Sequence, residues 1–223
     1  MQGLIAIGVI LLSYVIGSIP FGLVIVKLAT GKDIRSVESG RTGGTNAMRA
    51  AGFFAGAGTA VLDSLKAAGA VWLARLILPG NIWLEVLAPV ATVLGHNYSI
   101  FLIERNEQGR IRLRGGAGGA PSAGGALGLW PPSFLIITFI GVAILFGVGF
   151  ASLATLSVGV SATLVFAYRA WIGASPWEYV VYGILITIIL IIALRPNIHR
   201  LMNGTERLIG WRARRKGKIN SQE

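Results

Sequence analysis

The chain of 223 residues is 54% hydrophobic and only 13% charged, with a mean hydropathy of +0.70. Soluble domains average about 45–50% apolar and about 25% charged residues, so lipid must cover part of this surface, and the length leaves no room for a separate soluble domain. The net charge is +11, cysteine is absent and there are two histidines, His96 and His199; this excludes disulfides and thiolate-held metals and leaves too few ligands for a histidine-rich metal centre.

A helical crossing takes about 20 mostly apolar residues. In chain order such runs occupy 4–26, 53–78, 84–103, 117–130, 134–150, 153–170 and 179–194. The first follows no basic segment and is longer than the apolar core of a cleaved leader, which predicts a retained crossing. The fourth, GGAGGAPSAGGALGLW, is short and built of small residues, and predicts a half-span or re-entrant segment. LPGN and WPPS are turn signals between runs. The expected fold is an all-α polytopic membrane protein of about seven transmembrane helices. It forms a single integral membrane domain over 1–223, with a basic tail from about 195.

Of the 20 Lys and Arg residues, five fall in 27–49, four in 104–116 and eight from Arg195 onward; the other three are Lys66, Arg75 and Arg169. Basic residues collect in cytoplasmic loops, so an N-out, C-in orientation is predicted. The same distribution accounts for the charge without a nucleic-acid partner. The tail RLIGWRARRKGK is expected on the anionic cytoplasmic leaflet, with Trp211 at the headgroups. Four polar, glycine-rich or serine-rich segments then share one face and predict one cytoplasm-facing pocket: 38–49, His96 to the glycine-rich run that follows it, 151–157 and 195–206.

ESGRTGGTNAMR, at 38–49, has the composition of an anion-binding loop. Glycines let backbone N–H groups turn inward, hydroxyls add donors, and Arg41 and Arg49 match phosphate geometry. A flexible loop obeying charge bias fits equally on composition alone. It is not a Walker A loop, because no Gly-Lys-Ser/Thr follows. RLRGGAGGAPSAGG brings Arg110, Arg112 and Arg114 onto paired glycines, as a second phosphate loop or a closely packed short helix with basic flanks. Asp63 and Lys66 lie three residues apart inside the second apolar run, where a structural ion pair is favoured over a catalytic role. His96 ends the third run and can act as base, donor or interfacial histidine.

These stretches together resemble the bacterial acyl-phosphate:glycerol-3-phosphate acyltransferases, small seven-span enzymes of phospholipid synthesis. The likeness runs from GSIPFG at 17–22, followed by Lys27, to NGTE at 203–206. The family's first motif, D-x-R-x-x-G-S-G-N-x-G-x-T-N-x-x-R, is met by Asp33, Arg35, Ser39, Gly40, Gly43, Thr45, Asn46 and Arg49. Its L-D-x-x-K is met by Leu62, Asp63 and Lys66, its G-H by Gly95 and His96, and its later glycine pair by Gly115 and Gly116. Its S-L-A and R-x-N-I-x-R-L-x-x-G-x-E motifs are met by Ser152 to Ala154 and by Arg195, Asn197, Ile198, Arg200, Leu201, Gly204 and Glu206. Four departures stand out. Glu38 and Arg41 replace a glycine and an asparagine. Ser99 replaces a proline. Arg114 and Ala117 replace two lysines, and ERNEQGRIRL is inserted at 104–113.

The resemblance implies transfer of an acyl group from acyl phosphate to the 1-hydroxyl of sn-glycerol 3-phosphate, giving lysophosphatidate and phosphate. No cofactor or metal is implied. The partners are acyl phosphate, glycerol 3-phosphate and membrane lipid; a monomer is expected in the plasma (inner) membrane, with the site facing the cytoplasm. Ser39, Arg49 and His96 are the implied catalytic residues. Lys27, Gly40, Gly43, Thr45, Asn46, Lys66, Arg114, Gly115, Gly116, Ser152, Asn197 and Glu206 are implied for substrate and phosphate binding. In the family the second lysine helps hold glycerol phosphate, so Ala117 raises a different acceptor or a low-activity member as alternatives, beside a non-catalytic anion binder or carrier. The His-x4-Asp pattern of thioester-dependent acyltransferases is absent: five residues after His96 is Phe101, and five after His199 is Gly204.

Overall fold

The computed structural model describes residues 1–105 and 108–209. The part of the tail containing Trp211 therefore lies outside the described residues. Among those described, ten α-helices dominate: α1 (Gln2–Ser18), α2 (Phe21–Thr30), α3 (Gly44–Ala51), α4 (Phe53–Ile77), α5 (Ile82–Asn97), α6 (Gly119–Leu129), α7 (Pro131–Gly147), α8 (Ala151–Trp171), α9 (Glu178–Ala193) and α10 (Arg195–Met202). The all-α expectation needs one amendment. The 104–113 insertion builds an antiparallel hairpin, β1 (Ile103–Arg105) with β2 (Ile111–Leu113), pairing Glu104 with Arg112.

The first apolar run is broken. Pro20 lacks an N–H and disfavours helical backbone at the preceding residue; Ile19 is extended (φ −60°, ψ 116°) and α2 restarts at Phe21. Taken together, Gln2–Thr30 is still long and apolar enough to cross a membrane, as is Ala151–Trp171. The α9–α10 pair qualifies as a third if its 66° bend is one broken span. Pro196, in the first turn of α10, suits this restart.

α4 and α6 are nearly in backbone contact, because a β-carbon at Gly124 would overlap the carbonyl of Ser64. The Ser64 hydroxyl donates to Ala120 O at 2.9 Å across the same seam. Small residues permit such approach where lipid offers no hydrophobic drive for helix association. The main core gathers Val71, Val86, Leu129, Phe166, Tyr182, Ile186 and Leu190. Edge-to-face stacking joins Phe166 to Tyr179 (5.6 Å) and Tyr182 (6.2 Å). The outer surface is apolar as well: Phe54 is 88% exposed, Leu135 71% and Phe139 75%. Side chains of that size, so exposed on several helices, need lipid against them.

At one end of the bundle Arg75 pairs with Glu85 (2.9 Å) and donates to the carbonyls of Gly128 and Leu129, while Tyr179 donates to Glu85 at 2.7 Å. This satisfied network ties together α4, α5, α6 and α9. The starts of α3, α4, α6 and α8 meet at the opposite end, around a cleft.

Candidate active site

A cleft of about 580 Å³ opens among the loop before α3, the turn before α6, the start of α8 and α10. Three helix N-termini face it through Gly44 and Thr45 (α3), Gly119 and Ala120 (α6), and Ala151 and Ser152 (α8). No side chain caps any of the three. Their first N–H groups lack intrahelical acceptors, and with the helix dipoles they favour an anion.

Four arginines line the same cleft. Arg200 pairs with Glu206 at 3.0 Å, and Arg207 with Glu38 at 2.8 Å. Arg41 donates to Ala193 O (2.7 Å), Gly116 O (3.3 Å) and Asn197 Oδ1 (3.3 Å). Burial, then the Arg200 guanidinium, lowers its pKa from the ordinary arginine value. Arg49 forms no hydrogen bond or ion pair among the described residues, and burial lowers its pKa as well. A half-buried guanidinium without a partner is a charge that an anion would compensate.

Of the residues predicted from sequence, Ser39, Gly43, Thr45, Asn46, Arg49, His96, Ser152, Asn197 and Glu206 line the cleft. Asn46 holds the loop in shape, its amide donating to the carbonyls of Ile34, Val37 and Arg41 at 2.9–3.1 Å. Glu206 gathers Asn197 (2.8 Å), Ser152 (3.3 Å) and Arg200 onto one carboxylate, joining α8 to α10.

Lys27, Gly40, Lys66, Arg114, Gly115 and Gly116 are not part of the lining. Lys27 is exposed on α2. Gly40 turns the loop at φ 65°. Arg114 pairs with Glu104 at 2.6 Å, and Glu104 also holds Arg35 at 3.1 Å, so the hairpin braces both phosphate-loop candidates. Arg35 in turn holds Asp33, mainly through side-chain hydrogen bonds, and lowers its pKa to about 2. Lys66 lies beneath the cleft. Its ammonium donates to Gly17 O (2.8 Å) and Ile19 O (3.2 Å), next to the break at Pro20, and pairs with Asp63 at 2.8 Å. His96 Nδ1 lies 3.0 Å from the Lys66 ammonium and 3.3 Å from Asp63, so the buried pair holds the ring from one side. Nε2 lies against Gly116, where any side chain would overlap the ring.

Two of the departures from the family motif, Glu38 and Arg41, find separate partners. Glu38 does not pair with Arg41; its partner is Arg207. Arg41 points inward and reaches the residue next to Ala117, which itself lines the cleft. Sequence reasoning missed Arg207, whose only signal was a basic residue directly after the Glu206 motif.

The cleft is not polar throughout. Met48, Phe53, Ala57 and Ala60 on the α3–α4 side face Val142, Leu145 and Phe146 of α7, forming an apolar wall that continues from the arginine-rich end. One cavity thus joins an anion site to a hydrocarbon-lined groove.

Comparison with known proteins bears on family and fold. The family model described as glycerol-3-phosphate acyltransferase matches residues 7–204. The chain is 34% identical over 220 residues to glycerol-3-phosphate acyltransferase 3 of Dehalococcoides mccartyi, covering 92% of this chain and 96% of that protein. It is 36% identical over 209 residues to the glycerol-3-phosphate acyltransferase of Thermus thermophilus, covering 93% and 97%. The fold is similar to the crystal structure of PlsY (YgiH), an integral membrane glycerol 3-phosphate acyltransferase, in its glycerol 3-phosphate form. That likeness has a TM-score of 0.77 at 31% identity and covers 92% of this chain and 96% of the other. The lysophosphatidic acid form of the same protein gives 0.76 at 29% identity. This chain therefore belongs to the glycerol-3-phosphate acyltransferase family, as an integral membrane protein.

Proposed function

We propose that the cleft transfers an acyl group from acyl phosphate to the 1-hydroxyl of sn-glycerol 3-phosphate. The observation that carries this reading is the joining of an unpaired Arg49 and three uncapped helix N-termini to an apolar groove. An acyl phosphate has the same division, an anion at one end and a hydrocarbon chain at the other. The acceptor oxygen attacks the acyl carbon, the bond from that carbon to the phosphate oxygen breaks, and the departing phosphate takes the hydroxyl proton. The donor is already activated, so orientation and charge stabilisation supply most of the rate. Arg49, the Ser39 hydroxyl and the N–H groups of Gly44 and Thr45 hold the phosphate that leaves. Asn197, Ser152 and Arg200 are oriented by Glu206 for the acceptor, and Arg41 takes over charge that a lysine at 117 would bring. His96 orients the acceptor hydroxyl through Nε2.

The reading places seven crossings in the inner (plasma) membrane, N-terminus out and C-terminus in, with the cleft opening to the cytoplasm and a monomer sufficient for turnover. Purified protein given acyl phosphate and millimolar glycerol 3-phosphate should release phosphate and form 1-acyl lysophosphatidate. Product formed equally well from a thioester donor, or none dependent on acyl phosphate, rejects the donor assignment.

A further inference from the structure

Glu38 is the one non-glycine residue with positive φ (46°) among the described residues. Left-handed backbone disfavours a residue carrying a β-carbon, so its side chain is held there at a cost. The carboxylate spans the mouth of the cleft to Arg207, Oε2 to Nη1 at 2.8 Å, and both side chains are 50% exposed. Arg49 senses both groups: the Glu38 charge raises its pKa and the Arg207 charge lowers it. All three residues line the cleft, and Glu38 is bonded to Arg207 alone. Arg207 is fixed at this rim by its neighbours, because Leu208 forms a bridge with Phe150 and Ile209 N donates to Gly149 O at 2.8 Å.

We propose that Arg207 is a ligand for the phosphate of an incoming substrate, and that Glu38 is an internal competitor occupying it until that phosphate arrives. A half-exposed ion pair contributes little to stability. A phosphate offers a guanidinium two parallel charge-assisted bonds and has the arrival side of the cleft open to it. The exchange leaves Glu38 in water, where a carboxylate is well solvated. The pair thus sets phosphate affinity by competition instead of acting as a structural clasp. The inference rests on reading the cleft as a phosphate site, but needs no acyl transfer to be measured.

Calorimetric titration of the purified full chain with inorganic phosphate, and separately with glycerol 3-phosphate, tests it. Glu38→Gln and Glu38→Gly should bind about two- to fivefold more tightly than wild type, the range expected from releasing a half-exposed pair. The glycine variant also suits the left-handed backbone, which guards against misfolding. Arg207→Gln should bind about three- to tenfold more weakly, and the double variant Glu38→Gln/Arg207→Gln should match Arg207→Gln. Unchanged or weaker binding by both Glu38 variants overturns the proposal and makes the pair a clasp, and an Arg207→Gln variant with wild-type affinity overturns it as well. If phosphate binding follows the expected pattern while no acyl phosphate is consumed, the acyl-transfer reading fails and this inference stands.

Discussion

At the scale of the residue, partners separate roles more sharply than position does. Arg49 has no partner among the described residues, whereas Arg114, which looks equivalent in sequence, is engaged by Glu104. Arg49→Gln should therefore lower kcat/KM by about a hundredfold or more, as for a lost charge-stabilising donor, with Arg49→Lys recovering part of it in steady-state assays. Arg41→Asn, which returns the family residue, should raise the KM for glycerol 3-phosphate several-fold if Arg41 stands in for a lysine at 117; adding Ala117→Lys should reverse the loss. Lys66 acts through other groups. Lys66→Met leaves Asp63 buried without its main counter-charge, a loss of about 3–5 kcal/mol in comparable buried pairs, seen as a lowered melting temperature in detergent. Because Lys66 also lies 3.0 Å from His96 Nδ1, the surviving fraction should show a reduced kcat more than a raised KM. The ionic character of Asp63 and Lys66 was legible from their spacing. The carbonyl partners of Lys66 were not, since Gly17 O and Ile19 O turn toward it only at the break that Pro20 makes in the helix.

At the scale of the element, hydropathy located the long helices well and the short ones poorly. The run at 53–78 became α4 at Phe53–Ile77 almost unchanged. A window of about 20 residues, the length of a crossing, smoothed over Pro20, although Ile19-Pro20 is written plainly in the sequence, and it had no resolution for the eight residues of α3 or α10. The hairpin was signalled by the alternation around Gly109, yet the inserted stretch read only as hydrophilic. Its brace, Glu104 between Arg35 and Arg114, depends on three segments meeting in space. The seam between α4 and α6 was implied by the small residues of the fourth run. Gly124→Val should separate the two helices and cost about 1–3 kcal/mol of stability, as overpacking does, measurable by thermal unfolding. Across the apolar wall, Ala60→Phe should fill the groove facing Val142 and Leu145. Selectivity then shifts toward shorter acyl donors while the KM for glycerol 3-phosphate stays near wild type, which a donor series would reveal.

At the scale of the molecule, the absence of cysteine makes orientation directly measurable. Single cysteines at Gly3 and Thr205 should react from opposite sides of the membrane, with only Gly3→Cys labelled by an impermeant thiol reagent applied outside; labelling of both from one side rejects the odd number of crossings. The charge asymmetry of the loops is what predicts this orientation. It also grouped the four distant segments that line the cleft; what it could not show is which of their residues face one another, since these carry no mark of one another in the sequence. Glu38 and Arg207 are such a pair, 169 residues apart. The dependence runs one way: a carboxylate at 38 without an arginine at 207 would repel the phosphate, whereas the arginine binds it unaided. Across homologous sequences, an acid at 38 should therefore occur only where a base stands at 207, while a base at 207 should occur with or without the acid. The competition at the cleft mouth would then be visible as one-sided correlated substitution.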